Sequence, residues 1–88
     1  MSDSHSAAPA SAKALVDHIA RALVDEPGEV VVDEFEDNGE TVLELEVAPN
    51  DVGKVIGRQG SVVRAMRNLV RALGNMHDRD YVLEIIED

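Results

Sequence analysis

The chain contains no cysteine and no tryptophan, and Phe35 and Tyr81 are its only aromatic residues. Without cysteine there is neither a disulfide framework nor a thiolate metal site, which fits a reducing compartment. With two aromatic side chains, modules that bind by stacking their ligands on several rings are disfavoured. The histidines His5, His18 and His77 are far apart and lack the spacing of metal ligands. We therefore predict no metal site and no cofactor.

Long apolar runs are also absent, since no stretch approaches the roughly 18 residues of a membrane-spanning helix. The first residues, Met-Ser-Asp-Ser-His, are polar and acidic and lack the basic and apolar regions of a secretion signal. We therefore expect a cytoplasmic, soluble protein with no membrane partner. Residues 1–10 are rich in Ser, Ala and Pro without periodicity, so we predict a disordered tail followed by a single domain over residues 11–88.

Basic residues are scarce: eight Lys and Arg stand against 18 Asp and Glu, which gives a net charge of −10. This balance argues against a polyanionic ligand, because nucleic-acid binding depends largely on cationic side chains. The distribution of charge reverses the argument. Residues 30–47 carry seven acids and no base, whereas residues 52–77 carry no acid and five bases: Lys54, Arg58, Arg64, Arg67 and Arg71. Because screening acts over about 8 Å at physiological salt, acids on the far side of the domain are mostly screened from a ligand at this basic segment.

The hydrophobic pattern predicts the element order α-β-β-α-α-β, which indicates a two-layer α+β domain with a three-stranded sheet packed against three helices. The first helix is expected to begin after Ser11 and to end at Pro27-Gly28. Its apolar stripe consists of Ala12, Leu15, Val16, Ile19 and Leu23.

Residues 29–36 and 41–47 are predicted to form an antiparallel hairpin, because Asn38-Gly39 between them favours a two-residue type I′ turn. In the first strand Val30 and Val32 face one way and Phe35 the other. Because the apolar residues do not share one face, we expect a bulge between them. The last segment, residues 81–86, is predicted to add a third strand. In the second strand, alternation separates a core-facing set from a solvent-facing set: Leu43, Leu45 and Val47 against Val42, Glu44 and Glu46.

The segment from Val52 to Leu73 organises the chain, because a short helix there leads into Gly57-Arg58-Gln59-Gly60 and a longer helix begins near Ser61. The two glycines permit positive φ and a close approach of another backbone. Free amides and the positive end of the longer helix then point across the loop, where an anion satisfies both. This arrangement predicts a nucleic-acid-binding protein.

The two helices that flank this loop carry further expectations. Asn50 or Asp51 is expected to cap the short helix, and Gly74-Asn75 to stop the longer one. In the longer helix the predicted core stripe consists of Val62, Met66, Leu69, Val70 and Leu73.

The run Gly53-Lys54-Val55-Ile56 followed by the glycine-bounded loop resembles the signature of the KH domain, and the element order resembles its type II topology. The resemblance covers nearly the whole chain. In length and in its single KH unit, the chain is similar to small bacterial single-KH RNA-binding proteins of the KhpA type. It implies a cytoplasmic protein that binds single-stranded RNA, acts as an RNA chaperone or post-transcriptional regulator, and is linked in some bacteria to cell shape and division. It also implies a homodimer, or a heterodimer with a larger KH-containing protein.

The resemblance also implies roles for individual residues. Gly57 and Gly60 would bound a clamp on the sugar-phosphate backbone of about four nucleotides. Lys54 and Arg58 would contact phosphates, and Gln59 would add a neutral donor. The predicted RNA-binding set is completed by Ile56, which with aliphatic residues of the second strand would form an apolar floor, and by Ser61 and Arg64 in the first turn of the following helix.

The sequence leaves open the roles of several residues and a second function. For Arg64, Arg67 and Arg71 a solvated helix face, contact with RNA and contact in a dimer are all open. Ser61 has no His or Lys beside it in sequence, so its position suits helix capping and no enzymatic activity is predicted. The second functional hypothesis is a protein-interaction module that keeps this scaffold but has little affinity for RNA.

Overall fold

A computed structural model describes residues 11–87, so the predicted disordered tail over residues 1–10 lies outside the described residues. The order α-β-β-α-α-β is confirmed within this part of the chain. Short 3-10 turns precede β1, α2 and α3. The helices are α1 (Ala12–Leu23), α2 (Val52–Ile56) and α3 (Ser61–Met76), and the strands are β1 (Val31–Asp37), β2 (Glu40–Glu46) and β3 (Tyr81–Ile85).

The sheet has the order β1-β2-β3, with β1 and β2 antiparallel and β2 and β3 parallel. The predicted hairpin is confirmed: Asn38 and Gly39 have φ of 53° and 84°, as a type I′ turn requires. The predicted bulge is wrong, because each β1 residue pairs with one β2 residue from Val31 with Glu46 to the turn. Phe35 has the alternation of a regular strand and lies on the face opposite Val32.

All three helices pack on one face of the sheet, here called the inner face. The core joins Val16 of α1, Val55 of α2 and Met66 of α3 to the β2 side chains Leu43 and Leu45, which are fully buried. Among residues 11–87 no helix packs on the opposite or outer face. Val42, predicted to face solvent, does lie on this outer face but is only 5% exposed. It is flanked in register by Phe35 of β1 and Val82 of β3.

Helix α1 is capped as predicted, since the Ala14 amide donates to Ser11 Oγ at 3.1 Å. It ends at Leu23, four residues before Pro27, because the chain turns to extended geometry at Val24. Leu23, the last residue of the predicted apolar stripe, is 38% exposed. Ala20, one turn earlier, is the buried residue at that end of the helix.

Helix α3 differs from prediction in its core stripe and in its end. Leu69 is 48% exposed, and Val63 is buried on the core side instead. The helix does not stop at Gly74 but continues to Met76. Gly74 is buried, and a Cβ there would lie 2.3 Å from the carbonyl oxygen of Arg79. The glycine is therefore needed for the close approach of the α3–β3 connection, not for ending the helix.

Candidate nucleic-acid interface

The loop between α2 and α3 has the backbone geometry that its glycines predicted. Helix α2 ends at Gly57, which has φ 78° and ψ 174° and whose amide donates to Gly53 O at 2.9 Å. Gln59 and Gly60 follow with φ of 56° and 76°, in the left-handed region. The Gly60 amide donates back to Gly57 O at 3.1 Å, which closes the loop into one tight turn.

The two loop glycines are required for different reasons. A Cβ at Gly57 would lie 2.4 Å from Val62 Cγ2 and 2.8 Å from the Val62 amide nitrogen. Position 57 therefore has no room for a side chain. A Cβ at Gly60 would meet nothing closer than the Arg64 guanidinium at 3.8 Å, so only its positive φ favours glycine.

Helix α3 begins directly after this turn with Gly60 as its N-cap, and no side chain caps it. The capping role predicted for Ser61 is wrong, because Ser61 already has helical geometry with φ −64° and ψ −38°. The amides of the first turn of α3 are therefore left without a side-chain acceptor, at the positive end of a 16-residue helix. Such a helix start is suited to hold an anion.

Two guanidinium groups and one amide side chain surround the turn. Arg58 and Gln59 are exposed at its tip. Arg64, one turn into α3, donates from Nη1 to the carbonyl oxygen of Gln59 at 3.3 Å, which places its charge beside the loop. The predicted residues Arg58, Gln59 and Arg64 are thus brought together with the uncapped helix start.

Lys54 has a different environment from these arginines. Its ammonium lies 3.3 Å from Asp51 Oδ1 and 3.4 Å from Asp25 Oδ2. Hydrogen bonds to Asp51 and then to Asp25 raise the pKa of Lys54 above its ordinary value. Two carboxylates therefore offset its positive charge, although its side chain remains 41% exposed.

Asp51 is a functional element that sequence reasoning missed. It does not cap α2; instead its carboxylate, only 1% exposed, accepts hydrogen bonds from the amides of Asp25 and Glu26 at 3.2 and 3.1 Å. Burial acts to raise the pKa of Asp51, but these two amides and Lys54 outweigh it and the pKa is lowered. The spacing of Asp51 and Lys54 on one helix turn could have indicated their pairing. The α1–β1 connection, 25 residues earlier, could not have been found that way.

Arg67 and Arg71 occupy separate places on α3. Arg67 donates from Nε to the carbonyl oxygen of Leu83 at 3.2 Å, on the strand β3 that forms one edge of the sheet. Arg71 donates to Asn68 Oδ1 at 3.2 Å and is exposed. Arg67 thus contacts the edge strand β3, whereas Arg71 lies on the solvated side of α3.

The residues predicted to form an apolar floor beside the loop differ in their exposure. Ile56 is partly buried and packs on the core, as do Val62 of α3 and Ile85 of β3. The β2 residues Leu43 and Leu45 are 0% exposed, so the second strand cannot supply accessible aliphatic surface. The exposed parts of Ile56 and Val62, which flank the loop in the chain, are aliphatic surface available beside it.

The domain has the element order α-β-β-α-α-β and a mixed sheet, and a glycine-bounded turn joins its short helix α2 to the uncapped start of α3. These features define the KH class of domains with type II topology. Within that class, one family matches this sequence: the family described as "KhpA/KhpB, KH domain" covers residues 13–85. The chain belongs to this family.

Similarity to individual proteins agrees with this assignment. The chain is 49% identical over 73 residues to "RNA-binding protein KhpA" of Treponema pallidum, covering 83% of this chain and 91% of that protein. It is 47% identical over 75 residues to the protein of the same name from Halalkalibacterium halodurans, covering 85% and 99%. These relatives have nearly the same length as the matched segment.

A solved structure supports the fold alone. The chain superposes with a TM-score of 0.55 and 22% identity on Era, in a crystal structure described as a complex with MgGDPNP and nucleotides 1506–1542 of 16S ribosomal RNA. The match covers 88% of this chain but only 31% of Era, so the chain spans about a third of that protein.

None of the helices within residues 11–87 is long and apolar enough to cross a membrane. Within the same residues no three His, Asp or Glu side chains are grouped so that they could hold a metal ion.

Proposed function

We propose that the protein binds single-stranded RNA, holding the sugar-phosphate backbone at the loop Gly57–Gly60. The observation that carries the proposal is the uncapped start of α3, which directly follows a left-handed turn and is flanked by Arg58 and Arg64. Relatives that are 41–49% identical to this chain are named RNA-binding proteins, which supports the choice of RNA as the ligand.

The roles of the site residues follow from their positions. The amide of Ser61 donates to the carbonyl oxygen of Arg58, so the amides of the first turn of α3 that follow Ser61 would donate to phosphate oxygens, and Arg58 and Arg64 would supply positive charge. Gln59 would act as a neutral donor, and the exposed part of Ile56 would contact a base. Lys54 would contribute less than the arginines, because two carboxylates already offset its charge.

The proposed activity is binding without catalysis. Ser61, the hydroxyl nearest the loop, makes no hydrogen bond to a His, Lys or carboxylate among the described residues that would activate it. We propose a cytoplasmic RNA chaperone or post-transcriptional regulator made of a single KH domain, as the family resemblance implies. A homodimer, or a heterodimer with a larger KH-containing protein, would present two loops to one strand and raise avidity without new contacts. A role in cell shape rests on the same resemblance.

The proposal is tested by the double substitution Arg58→Asp and Gln59→Asp. Binding of a fluorescent eight-nucleotide oligouridine is measured by anisotropy at low salt, and circular dichroism checks the fold. We expect at least about a tenfold loss of affinity, because one charge-assisted contact is removed and two carboxylates are placed beside the phosphate. Gln59 has φ 56°, which Asp tolerates, so the variant should fold normally.

A charge-matched control separates contact from general repulsion. Lys13→Asp with Asn38→Asp also changes the net charge by −3, from −10 to −13. Lys13 lies in the first turn of α1 and Asn38 in the hairpin turn, where Asp is well tolerated. This control should keep nearly all of the affinity. Equal affinity of the loop variant and the wild type would favour the alternative, a protein-interaction module with little affinity for RNA.

A further inference from the structure

The outer face of the sheet exposes apolar side chains that the fold does not use. Phe35 is 42% exposed and Val31 is 46% exposed, although both are large apolar residues. Phe35, Val42 and Val82 stand side by side in register and form an apolar row across all three strands. None of these four residues belongs to the core cluster between the sheet and the helices. Val42 in the middle of the row is only 5% exposed, so Phe35, Val31 and the exposed part of Val82 are the apolar surface available to a partner.

Acidic side chains surround this row on the same face. Six carboxylates belong to the outer face by strand register, and no basic residue does; they are Asp33, Asp37, Glu40, Glu44, Glu46 and Glu84. None of the six takes part in an ion pair within residues 11–87.

Three of these carboxylates lie close enough to repel one another. Asp33, Glu44 and Glu84 are register partners on three adjacent strands, and like charges in this position destabilise a sheet. The described fold supplies no cation to offset them. A partner that brought positive charge to this face would relieve the repulsion and would at the same time cover the apolar row.

A cavity of about 220 Å³ opens at the end of the sheet, next to this face. Its walls include the aliphatic side chains Val47, Val52 and Ile86, and its acidic lining consists of Glu29, Glu46 and Glu87. Glu46 also belongs to the outer face, where it pairs with Val31, so cavity and face are continuous.

The chemistry of the cavity defines its occupant. An aliphatic wall with carboxylates is complementary to the side chain of Lys or Arg, which combines an apolar stem with a cationic end. Within the described residues the carboxylates are not grouped so that they could hold a metal ion, which disfavours a bare cation. A phosphate backbone or an anionic lipid surface would be repelled by the same carboxylates.

We propose that the outer face and this cavity together form a docking surface for a basic segment of a protein partner. One Lys or Arg side chain of the partner enters the cavity, and an apolar side chain packs on Phe35. The surface contains none of the residues of the Gly57–Gly60 loop, so protein docking and RNA binding are separate activities of one small domain.

The probe for this surface is the synthetic peptide Lys-Leu-Lys-Gly-Lys-Leu-Lys, acetylated and amidated at its ends. Titration into isotope-labelled full-length protein is followed by amide NMR signals. We expect shifts at Val31, Glu46, Val47 and Ile86, and no shifts with the same peptide carrying acetyllysine in place of every Lys. The variant Glu29→Gln, Glu46→Gln, Glu87→Gln should weaken binding about tenfold, since the cavity loses the three carboxylates that attract the cationic side chain.

A control with the same net charge tests whether the position of the acids matters. The variant Glu34→Gln, Asp78→Asn, Asp80→Asn also raises the net charge from −10 to −7, but it changes exposed residues away from the cavity. It should retain the affinity of the wild type within about twofold, whereas Phe35→Ser should weaken binding with the charge unchanged. All of these positions are exposed, so the variants should fold.

Three results would overturn the proposal. The control variant could lose as much affinity as the cavity variant, which would mean general attraction to an acidic protein. Oligouridine could shift the same amides, which would make the cavity part of the RNA site. The amides could shift with protein concentration alone, which would make a second copy of this chain the occupant. The loop variant at Arg58 and Gln59 should leave peptide binding unchanged, so failure of RNA binding would not affect this result.

Discussion

At the scale of single residues, the loop depends on two glycines that are not equivalent. Gly57 has φ 78° with ψ 174° and no space for a Cβ, whereas Gly60 is in the left-handed helical region with open space beside it. Only glycine adopts the first conformation readily, but other residues reach the second at moderate cost. The clash at Gly57 involves the amide nitrogen of Val62, so relief would move the start of α3 itself.

We predict that Gly57→Ala destabilises the domain by about 2–3 kcal/mol and that Gly60→Ala costs about 1 kcal/mol. Urea unfolding followed by circular dichroism measures both. Gly57→Ala should also abolish most RNA affinity under conditions where it is folded, because the first-turn amides of α3 are displaced. Equal stability losses in the two variants would show that the contact with Val62 does not constrain the loop.

At the scale of elements, Asp51 joins the α1–β1 connection to the start of α2. Its carboxylate accepts from the amides of Asp25 and Glu26 and pairs with Lys54, which also reaches Asp25. Helix α2 has only five residues and is too short to be stable alone. The buried carboxylate therefore holds in place the helix that leads into the loop.

We predict that Asp51→Asn lowers the thermal unfolding temperature by several degrees, because the Asn amide group cannot accept from both backbone amides. The folded pKa of Asp51 is lowered, so its stabilising effect is complete above the unfolded value of about 3.9 and is lost as pH falls through the folded pKa. The difference in unfolding temperature between wild type and variant should therefore be constant from about pH 5 to 8 and shrink below about pH 4. The exposed control Asp80→Asn, whose carboxylate makes no ion pair among the described residues and lies outside the carboxylate row of the outer face, should show neither effect.

The elements that could be predicted from sequence are those that local rules determine. The Asn38-Gly39 turn and the α1 cap at Ser11 were predictable because their partners lie within a few residues. The end of α3 was not, because Gly74 is required by a backbone contact with Arg79 that exists only after folding. The Asp51 contacts with the α1–β1 connection were missed for the same reason. In the candidate site, the positions of the loop glycines and arginines could be predicted from the sequence, but the neutralisation of Lys54 could not.

At the scale of the whole molecule, the proposed RNA binding depends on the segregation of charge. The domain measures 38 × 37 × 22 Å, several times the screening length of about 8 Å at physiological salt. The outer face carries six carboxylates, whereas Arg58 and Arg64 flank the start of α3 on the helical side of the molecule. A polyanion at the loop therefore experiences mainly the local cations, despite the net charge of −10.

This segregation predicts the sign of the salt dependence of RNA binding. With Arg58 and Arg64 as the cationic contacts, log affinity for the eight-nucleotide oligouridine should fall by about 1.4 per log unit of salt, at about 0.7 for each contact. Titrations by anisotropy from 25 to about 400 mM KCl measure the slope. Arg64→Gln should remove about half of it, whereas Lys54→Gln should change it little, because Asp51 and Asp25 already offset that charge. If the acids of the outer face dominated the field, affinity would instead rise as salt screened them, and the two faces would not act as electrically separate surfaces.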